Sequence, residues 1–350
     1  MAAIPRPTSY REGHMATWNV LPSCPPGWAA TLRRSGGGFF HTPLGLALGA
    51  PRGEPMFAEL RTNGDVIGVA AGVRSRCRFT AQPRHVYLPT LPLAPPDGRA
   101  AAVSALVERF KLEGTAEVVM DAFDAAWTPD PIPPAEDTRP RQEYVVRLTG
   151  GPEELAGGFS RHHQRGLRRG QREGWALRTH GGRQARDLLS LVQSAAAERA
   201  AQRRDAYVVE PPPAAEALGE REEWGVTTFA AWRNGAPLAA ALVGWANGKA
   251  FFLRGGSTPE GYRSNAAVWL HWRVMGEFAA RGAVEYNLGG APARATRPED
   301  PAHGLHRFKR DFGSEIRPCR GLRWTLSPAH VQAHRLAPAA PRHYASAGAR

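Results

Sequence analysis

Phe229-Ala-Ala-Trp-Arg-Asn-Gly-Ala-Pro-Leu-Ala239 reads as strand, Asn-Gly turn, strand, and Phe57-Ala-Glu-Leu-Arg-Thr-Asn-Gly-Asp-Val-Ile67 reads the same way 172 residues earlier. Asn-Gly between apolar runs is a strong hairpin signal, because both positions tolerate the positive φ of a type I′ turn. The downstream copy adds a second Asn-Gly at Asn247-Gly248 and a strand from Ala250 to Arg254, which makes a three-stranded meander. A repeat of this length marks two variations on one structural unit.

Each hairpin leads to an amphipathic helix, a glycine and a further strand. Ala100 to Glu113 precedes Gly114 and the strand Glu117 to Ala122. Asn265 to Arg281 precedes Gly282 and the strand Val284 to Leu288. Phe110 matches Phe278 and Gly114 matches Gly282, both at an offset of 168. Glycine suits the position after a helix, where the left-handed conformation costs other residues more. The two offsets agree well enough for a diverged duplication.

With 350 residues, 42% hydrophobic and 22% charged, the chain has material for two packed cores. The expected units are residues 1–140 and 141–330, joined through the Pro-rich stretch 129–140 and followed by a flexible tail at 331–350. Lys plus Arg is 45 against 32 for Asp plus Glu, yet only three lysines occur, Lys111, Lys249 and Lys309. Residues 1–150 carry a net charge of +2 and residues 151–350 carry +11, so a polyanionic partner belongs to the second half. The abundance of arginine over lysine also fits a GC-rich, actinobacterial-type genome. Residues 1–30 lack the apolar core of a signal peptide, and the longest apolar run, Leu238 to Ala246, is too short to span a bilayer. Cys24, Cys77 and Cys319 form neither a disulfide framework nor a zinc pattern. His303-x-x-His306 has no third ligand at suitable spacing, so no metal is expected. These features favour a cytoplasmic monomer without an integral membrane segment.

Antiparallel strands, then a helix, then a neighbouring strand resemble the GCN5-related acetyltransferase fold. That resemblance implies an α/β (α+β) chain of two tandem acetyltransferase-like domains, with mixed, mostly antiparallel sheets flanked by helices and the active cleft in or beside the second copy. The acyl-coenzyme A signature of that fold is Gln/Arg-x-x-Gly-x-Gly/Ala, in which amides at a helix N-terminus cradle the pyrophosphate. The corresponding link here, Gly255-Gly-Ser-Thr-Pro-Glu-Gly-Tyr-Arg-Ser-Asn265, lacks it. Arg33-x-x-Gly36-x-Gly38 fits the letters but follows a Pro/Trp/Ala stretch instead of a strand, and reads as a loop. No cofactor is expected.

Four segments carry a closer resemblance: Ser160-Arg-His-His-Gln-Arg-Gly-Leu-Arg-Arg-Gly-Gln-Arg-Glu-Gly174, Gly255-Gly-Ser-Thr-Pro-Glu260 with the Trp269/Trp272 helix, Tyr286-Asn-Leu-Gly-Gly290, and Gly304-Leu-His-Arg-Phe-Lys-Arg-Asp-Phe-Gly313. They resemble the Fem-type aminoacyltransferases, tandem acetyltransferase-fold proteins that take an amino acid from aminoacyl-tRNA. The resemblance implies that Phe308 and Lys309 lie near the reacting ester, the lysine steadying the tRNA terminus or the developing oxyanion. It also implies acceptor recognition through an Arg-x-x-x-Tyr arrangement, matched by Arg203 and Tyr207. Arg254 and Arg263, flanking the loop that replaces the coenzyme A motif, are further acceptor-binding candidates. Arg161, Arg165, Arg168, Arg169 and Arg172 fall on one helical stripe that can neutralise phosphates, although Gly166 and Gly170 weaken the helix. Trp175 reads as a core aromatic or a base-stacking one. No general base is evident; Asp311 and Glu315 stand nearest in sequence.

The expectation is transfer of an amino acid from aminoacyl-tRNA to the amine of an antibiotic-like metabolite or a peptidoglycan precursor, forming a peptide or amide bond. An acyl-coenzyme A N-acyltransferase of the same fold and a non-catalytic basic RNA-binding module are the alternatives.

Overall fold

The computed structural model describes residues 16–49, 53–76, 83–125, 127, 128, 132, 135–137, 140–202 and 223–327. Cys77, Arg203, Tyr207, most of the Pro-rich connection and the tail 331–350 lie outside these. The first half runs β1 (Thr17–Leu21), α1 (Trp28–Ser35), α2 (Pro43–Gly49), β2 (Glu54–Thr62), β3 (Asp65–Arg76), β4 (Pro83–Leu88), α3 (Arg99–Leu112), β5 (Glu117–Met120) and β6 (Glu136–Asp137). Next come β7 (Arg141–Arg147), α4 (Pro152–Gly157), α5 (Arg161–Arg172), β8 (Ala176–His180), α6 (Gly182–Gln202), β9 (Trp224–Arg233), β10 (Ala236–Ala246) and β11 (Lys249–Ser257). The remainder is α7 (Pro259–Ser264), α8 (Ala266–Ala280), β12 (Glu285–Pro292), α9 (His303–Arg310), β13 (Glu315–Cys319) and β14 (Leu322–Thr325).

Two seven-stranded mixed sheets result, ordered β1-β2-β3-β4-β5-β14-β6 and β8-β9-β10-β11-β12-β7-β13. Place by place they repeat one another: four antiparallel strands, a parallel neighbour, then two antiparallel strands. The Asn-Gly turns behave as their chemistry requires, with φ 50° and 88° at Asn63-Gly64, 49° and 79° at Asn234-Gly235, and 49° and 70° at Asn247-Gly248. Phe57 pairs with Ala71, and Phe229 with Ala241, in equivalent registers.

The sixth place in each sheet is filled out of chain order. β7 leaves the first half and lies between β12 and β13, while β14 returns to lie between β5 and β6. The expected unit 1–140 therefore lacks one strand of its own sheet, which residues 322–325 complete by pairing with Glu117–Met120. The halves also share an apolar seam in which Phe39, Phe40, Leu48 and Phe123 meet Leu189, Val226, Leu242 and Phe251. Asn247 Nδ2 donates across this seam to the Gly37 carbonyl at 2.8 Å. The stretch around Gly36 is thus a structural contact, and Arg33 and Arg34 end a helix whose carbonyl pole repels phosphate.

The parallel pairs differ in a way that positions the site. In the first sheet, pairing of β4 with β5 is prolonged by Asp121 N–H to Leu88 O (2.8 Å) and Phe123 N–H to Pro89 O (3.1 Å). In the second, β11 and β12 pair only at Lys249/Glu285, Ala250/Tyr286 and Phe251/Asn287, and then part. The Leu288-Gly-Gly segment, which reads as a strand end, is instead a bulge inside β12, which resumes against β7 at Gly290.

α5 and α8 cross beside this opening. Gly170 allows the approach, because a Cβ there would collide with the Trp269 indole and come within 2.8 Å of Trp175. The two indoles meet edge to face at 5.9 Å, so Trp175 belongs to the core. The glycines of α5 therefore face the protein, and the helix they were expected to weaken is held by packing. Gly170→Ala, which stabilises an exposed helix interior by about 1 kcal/mol, is expected here to destabilise by about 1–3 kcal/mol through overpacking; denaturant unfolding of the two proteins measures the sign.

Candidate active site

Lys309 sits in the last turn of α9 and is 5% exposed. Its Nζ donates to the Gly290 carbonyl at 2.8 Å, on the β12 segment that has left β11. The bulge that presents this carbonyl is held by its own side chains. Gly289, at φ 74°, donates its N–H to Asn287 Oδ1 at 2.8 Å, and Asn287 Nδ2 donates to Glu143 Oε2 at 2.8 Å. Burial pushes the Lys309 ammonium down to about 7; the Arg141 charge adds to this, and Glu143 opposes it.

Around the lysine stem lies an aromatic and histidine box. His271 is buried against Phe252, Phe308 and Phe312, and its Nδ1 is hydrogen-bonded to the Tyr286 hydroxyl at 2.8 Å. Burial, reinforced by the charges of Lys309 and His163, drives its pKa to about 3, so the imidazole is neutral at physiological pH. Tyr144 lies under the lysine, with Nζ 5.9 Å from the ring centre, and its hydroxyl meets His306 Nδ1 at 2.7 Å. Phe308 is half-buried, and its carbonyl receives His163 Nε2 at 3.0 Å.

Glu143 also faces a cavity of about 360 Å³ between the second sheet and the segment after β5, lined by Asp124, Lys249, Glu285, Arg147, Arg317 and Cys319 among others. Glu143 accepts the Asp124 N–H at 3.1 Å and an Arg141 N–H at 3.1 Å. Glu285 is claimed by Arg317, at 3.1 Å to each oxygen, and by Arg147. Burial lifts Asp124 to about 6 against the pull of Lys249, with Glu143 adding to the rise. Burial likewise pushes the Cys319 thiol up to about 12, which leaves it inert.

Four of the five arginines read as a stripe are exposed along one helix. Ser160 caps α5, accepting the His163 N–H at 3.3 Å, and Arg161, Arg165, Arg168 and Arg172 are exposed along it. Arg169 departs from the stripe: it is half-buried, pairs with Glu173 at 2.6 Å and reaches the Arg263 carbonyl at 3.4 Å. Arg263 is exposed on α7 and pairs with Glu260 at 2.8 Å, while Arg254 is half-buried on β11 opposite Leu242. Arg203 and Tyr207 lie outside the described residues. The fold thus brings the N-terminus of α5 against Phe308 and Lys309. Asp311 pairs with Arg310, and Glu315 with Arg317. Asp124, Glu143, Asn287 and His271, which join this cluster, are not singled out by the sequence, and His163 reads with His162 as a base-stacking candidate. Lys249, one of only three lysines, is not among the site residues read from the sequence.

The link in place of the coenzyme A motif is occupied by its own contacts. Thr258 caps α7 by accepting the Gly261 N–H at 3.1 Å, the Tyr262 N–H goes to the Thr258 carbonyl at 2.9 Å, and Pro259 has no N–H to offer. Any side chain at Gly261 would strike the Leu238 carbonyl. Among the described residues no group of three His, Cys, Asp or Glu side chains stands together as a metal site, and no helix is long and apolar enough to cross a membrane.

Residues 158–310 match the family described as the acetyltransferase (GNAT) domain. No curated protein matches the sequence. Among solved structures the chain is similar to FemX, with a TM-score of 0.70 at 13% identity over 90% of this chain and 99% of that one. A conserved protein of unknown function from Bacteroides thetaiotaomicron gives 0.54 at 12% identity, over 81% and 89%. A tandem GNAT protein from the clavulanic acid biosynthesis pathway gives 0.46 at 13%, over 89% and 99%. At these identities the likeness is one of fold: a mixed α/β chain of two mixed sheets flanked by helices, with a GNAT domain match over the second.

Because Lys309 titrates near 7 when folded and near 10.5 when unfolded, the unfolded chain binds the extra proton across that window. Stability therefore rises with pH between those values, and the burial penalty is largest below the lower one. Relative to Lys309→Met, which lacks this titration, the parent is expected to gain about 1.4 kcal/mol of stability per pH unit above neutrality; urea unfolding of both proteins across this range tests it.

Proposed function

We propose that the chain is an acyltransferase that moves an amino acid from aminoacyl-tRNA to an amine acceptor, working as a monomer in the cytoplasm. The observation that carries this reading is the Lys309 ammonium, buried against the Gly290 carbonyl where β11 and β12 part. The exposed arginines of α5 offer phosphate contacts beside it, and the occupied amides of the α7 link favour an RNA-borne donor over coenzyme A.

In this reading the acceptor nitrogen attacks the ester carbonyl carbon. The C–N bond forms, negative charge gathers on the carbonyl oxygen, and the C–O bond to the terminal ribose then breaks to release its hydroxyl. Lys309 supplies a positive charge for the oxyanion in a site poor in water, where such a charge acts strongly. Its low pKa when empty means that approach of the RNA phosphates draws a proton onto it. The cavity beside Glu143 is the proposed acceptor pocket, with Asp124, titrating near 6, as the group that takes the amine proton, which then passes to the departing ribose oxygen. The acceptor is an antibiotic-like metabolite or a peptidoglycan precursor.

Purified protein incubated with charged tRNA and candidate amines is expected to yield product that ribonuclease pretreatment abolishes. Product that survives ribonuclease, or that requires acyl-coenzyme A, overturns the donor. Lys309→Met should lower turnover by about 10²–10³-fold with folding intact. Arg165→Glu combined with Arg168→Glu should weaken binding of charged tRNA and flatten its log–log salt dependence by about 0.7–0.9 per lost phosphate contact, as read by filter binding at several salt concentrations.

A further inference from the structure

Ser160 and His163, at the start of α5, reach across to the end of α9. Ser160 N–H donates to the Asp311 carbonyl at 2.8 Å, and His163 Nε2 lies 3.0 Å from the Phe308 carbonyl oxygen. The last carbonyls of a helix lack intrahelical partners, and the Phe312 N–H goes to Lys309 O at 3.3 Å, so His163 meets an otherwise orphaned acceptor. A carbonyl only accepts, so the imidazole proton must sit on Nε2. That leaves Nδ1 as a bare lone pair, and Nδ1 is buried with no hydrogen-bond partner among the described residues. Burial pushes the pKa of the ring down, against the opposing pull of the Phe308 carbonyl and Asp311. The ring is 2% exposed and boxed by Phe308 at 5.6 Å and Phe312 at 4.5 Å, a place that an apolar side chain of this size would fill while leaving the Phe308 carbonyl without a donor. What the histidine adds is one hydrogen bond, to the residue before Lys309.

We propose that His163 is a positioning residue for Lys309: its Nε2–H ties the Phe308–Lys309 turn to the arginine-faced helix, so that one rigid joint serves both polyanion docking on α5 and the reach of Lys309 to the Gly290 carbonyl. The proposal rests on the reading of Lys309 as the catalytic ammonium, and it makes α5 part of the catalytic geometry as well as a binding face. Lys309 is faced by Glu143, Arg141 and Tyr144 from β7 and by His271 from α8, of which only His271 also feels residue 163.

Because the chain holds only three lysines, ¹³C-lysine NMR can follow Lys309 directly, with Lys309→Met assigning its signal. In His163→Phe, which keeps the aromatic box and removes the donor, the Lys309 midpoint should climb by about one unit or more toward the ordinary lysine range as Nζ rehydrates. Turnover should fall about tenfold from misplacement of the ammonium, with KM for aminoacyl-tRNA within about twofold. His163→Gln, which retains an N–H donor, should keep most of both. An unmoved Lys309 titration in His163→Phe, or equal loss in the two variants, overturns the joint. If the phenylalanine variant does not fold, ¹⁵N-histidine NMR on the parent decides: the Nε2–H tautomer supports the joint and the Nδ1–H tautomer overturns it. Should the parent transfer nothing from aminoacyl-tRNA, the proposed function falls, while the titrations still judge the joint.

Discussion

The early end of pairing between β11 and β12 is the constraint from which the rest of the site follows. Once the strands part after Phe251 and Asn287, the backbone groups of the next β12 residues are inside the protein without a strand to receive them. A buried carbonyl without a donor is costly. Asn287 takes the Gly289 N–H, and Lys309 supplies the donor for Gly290 O. The same ammonium that closes this backbone account is the one held out of water at the opening, so structure and chemistry draw on a single group.

Electrostatics around that group are balanced across the sheet. Glu143 and Arg141 stand two residues apart on β7, linked at 3.1 Å, and both fields reach Lys309 with opposite sign. Glu143 in turn binds Asn287 and the Asp124 backbone, which joins the lysine side of the bulge to the carboxylate-lined cavity beside the second sheet. Burial is the largest influence on Lys309, Asp124 and His271 alike. Their shared displacement toward neutrality follows from one cause, exclusion of water around each buried group.

Hydrogen bonding explains why only one of the two similar sheets opens. In the first copy, hydrogen bonds from Asp121 and Phe123 carry the β4–β5 pairing onward and close the equivalent position. In the second, the bulge at 288–289 ends it. The exchanged strands β7 and β14 bind the copies into one body, and β7 brings Glu143 and Tyr144 beside a lysine more than 160 residues away in sequence. The closed copy serves as scaffold and as one wall of the cavity.

Local chemistry made much of this legible in the chain itself. Asn-Gly pairs have few conformations open to them, a glycine after an amphipathic helix marks its end, and arginines at helical spacing must share a face, so hairpins, helices and stripe could be read from neighbours in sequence. Phe308 and Lys309 stood out through family resemblance and the scarcity of lysine. Lys249 is just as scarce, and rarity alone could not say that it faces a cavity. What tertiary structure alone decided was each long-range partner: Gly170 against Trp269, His163 against the Phe308 carbonyl, Glu143 against Asn287, and β14 in the first sheet. Periodicity reports which side of an element is apolar, whereas a hydrogen bond between residues more than a hundred positions apart depends on how the sheets and helices finally stack, and no local pattern encodes that stacking.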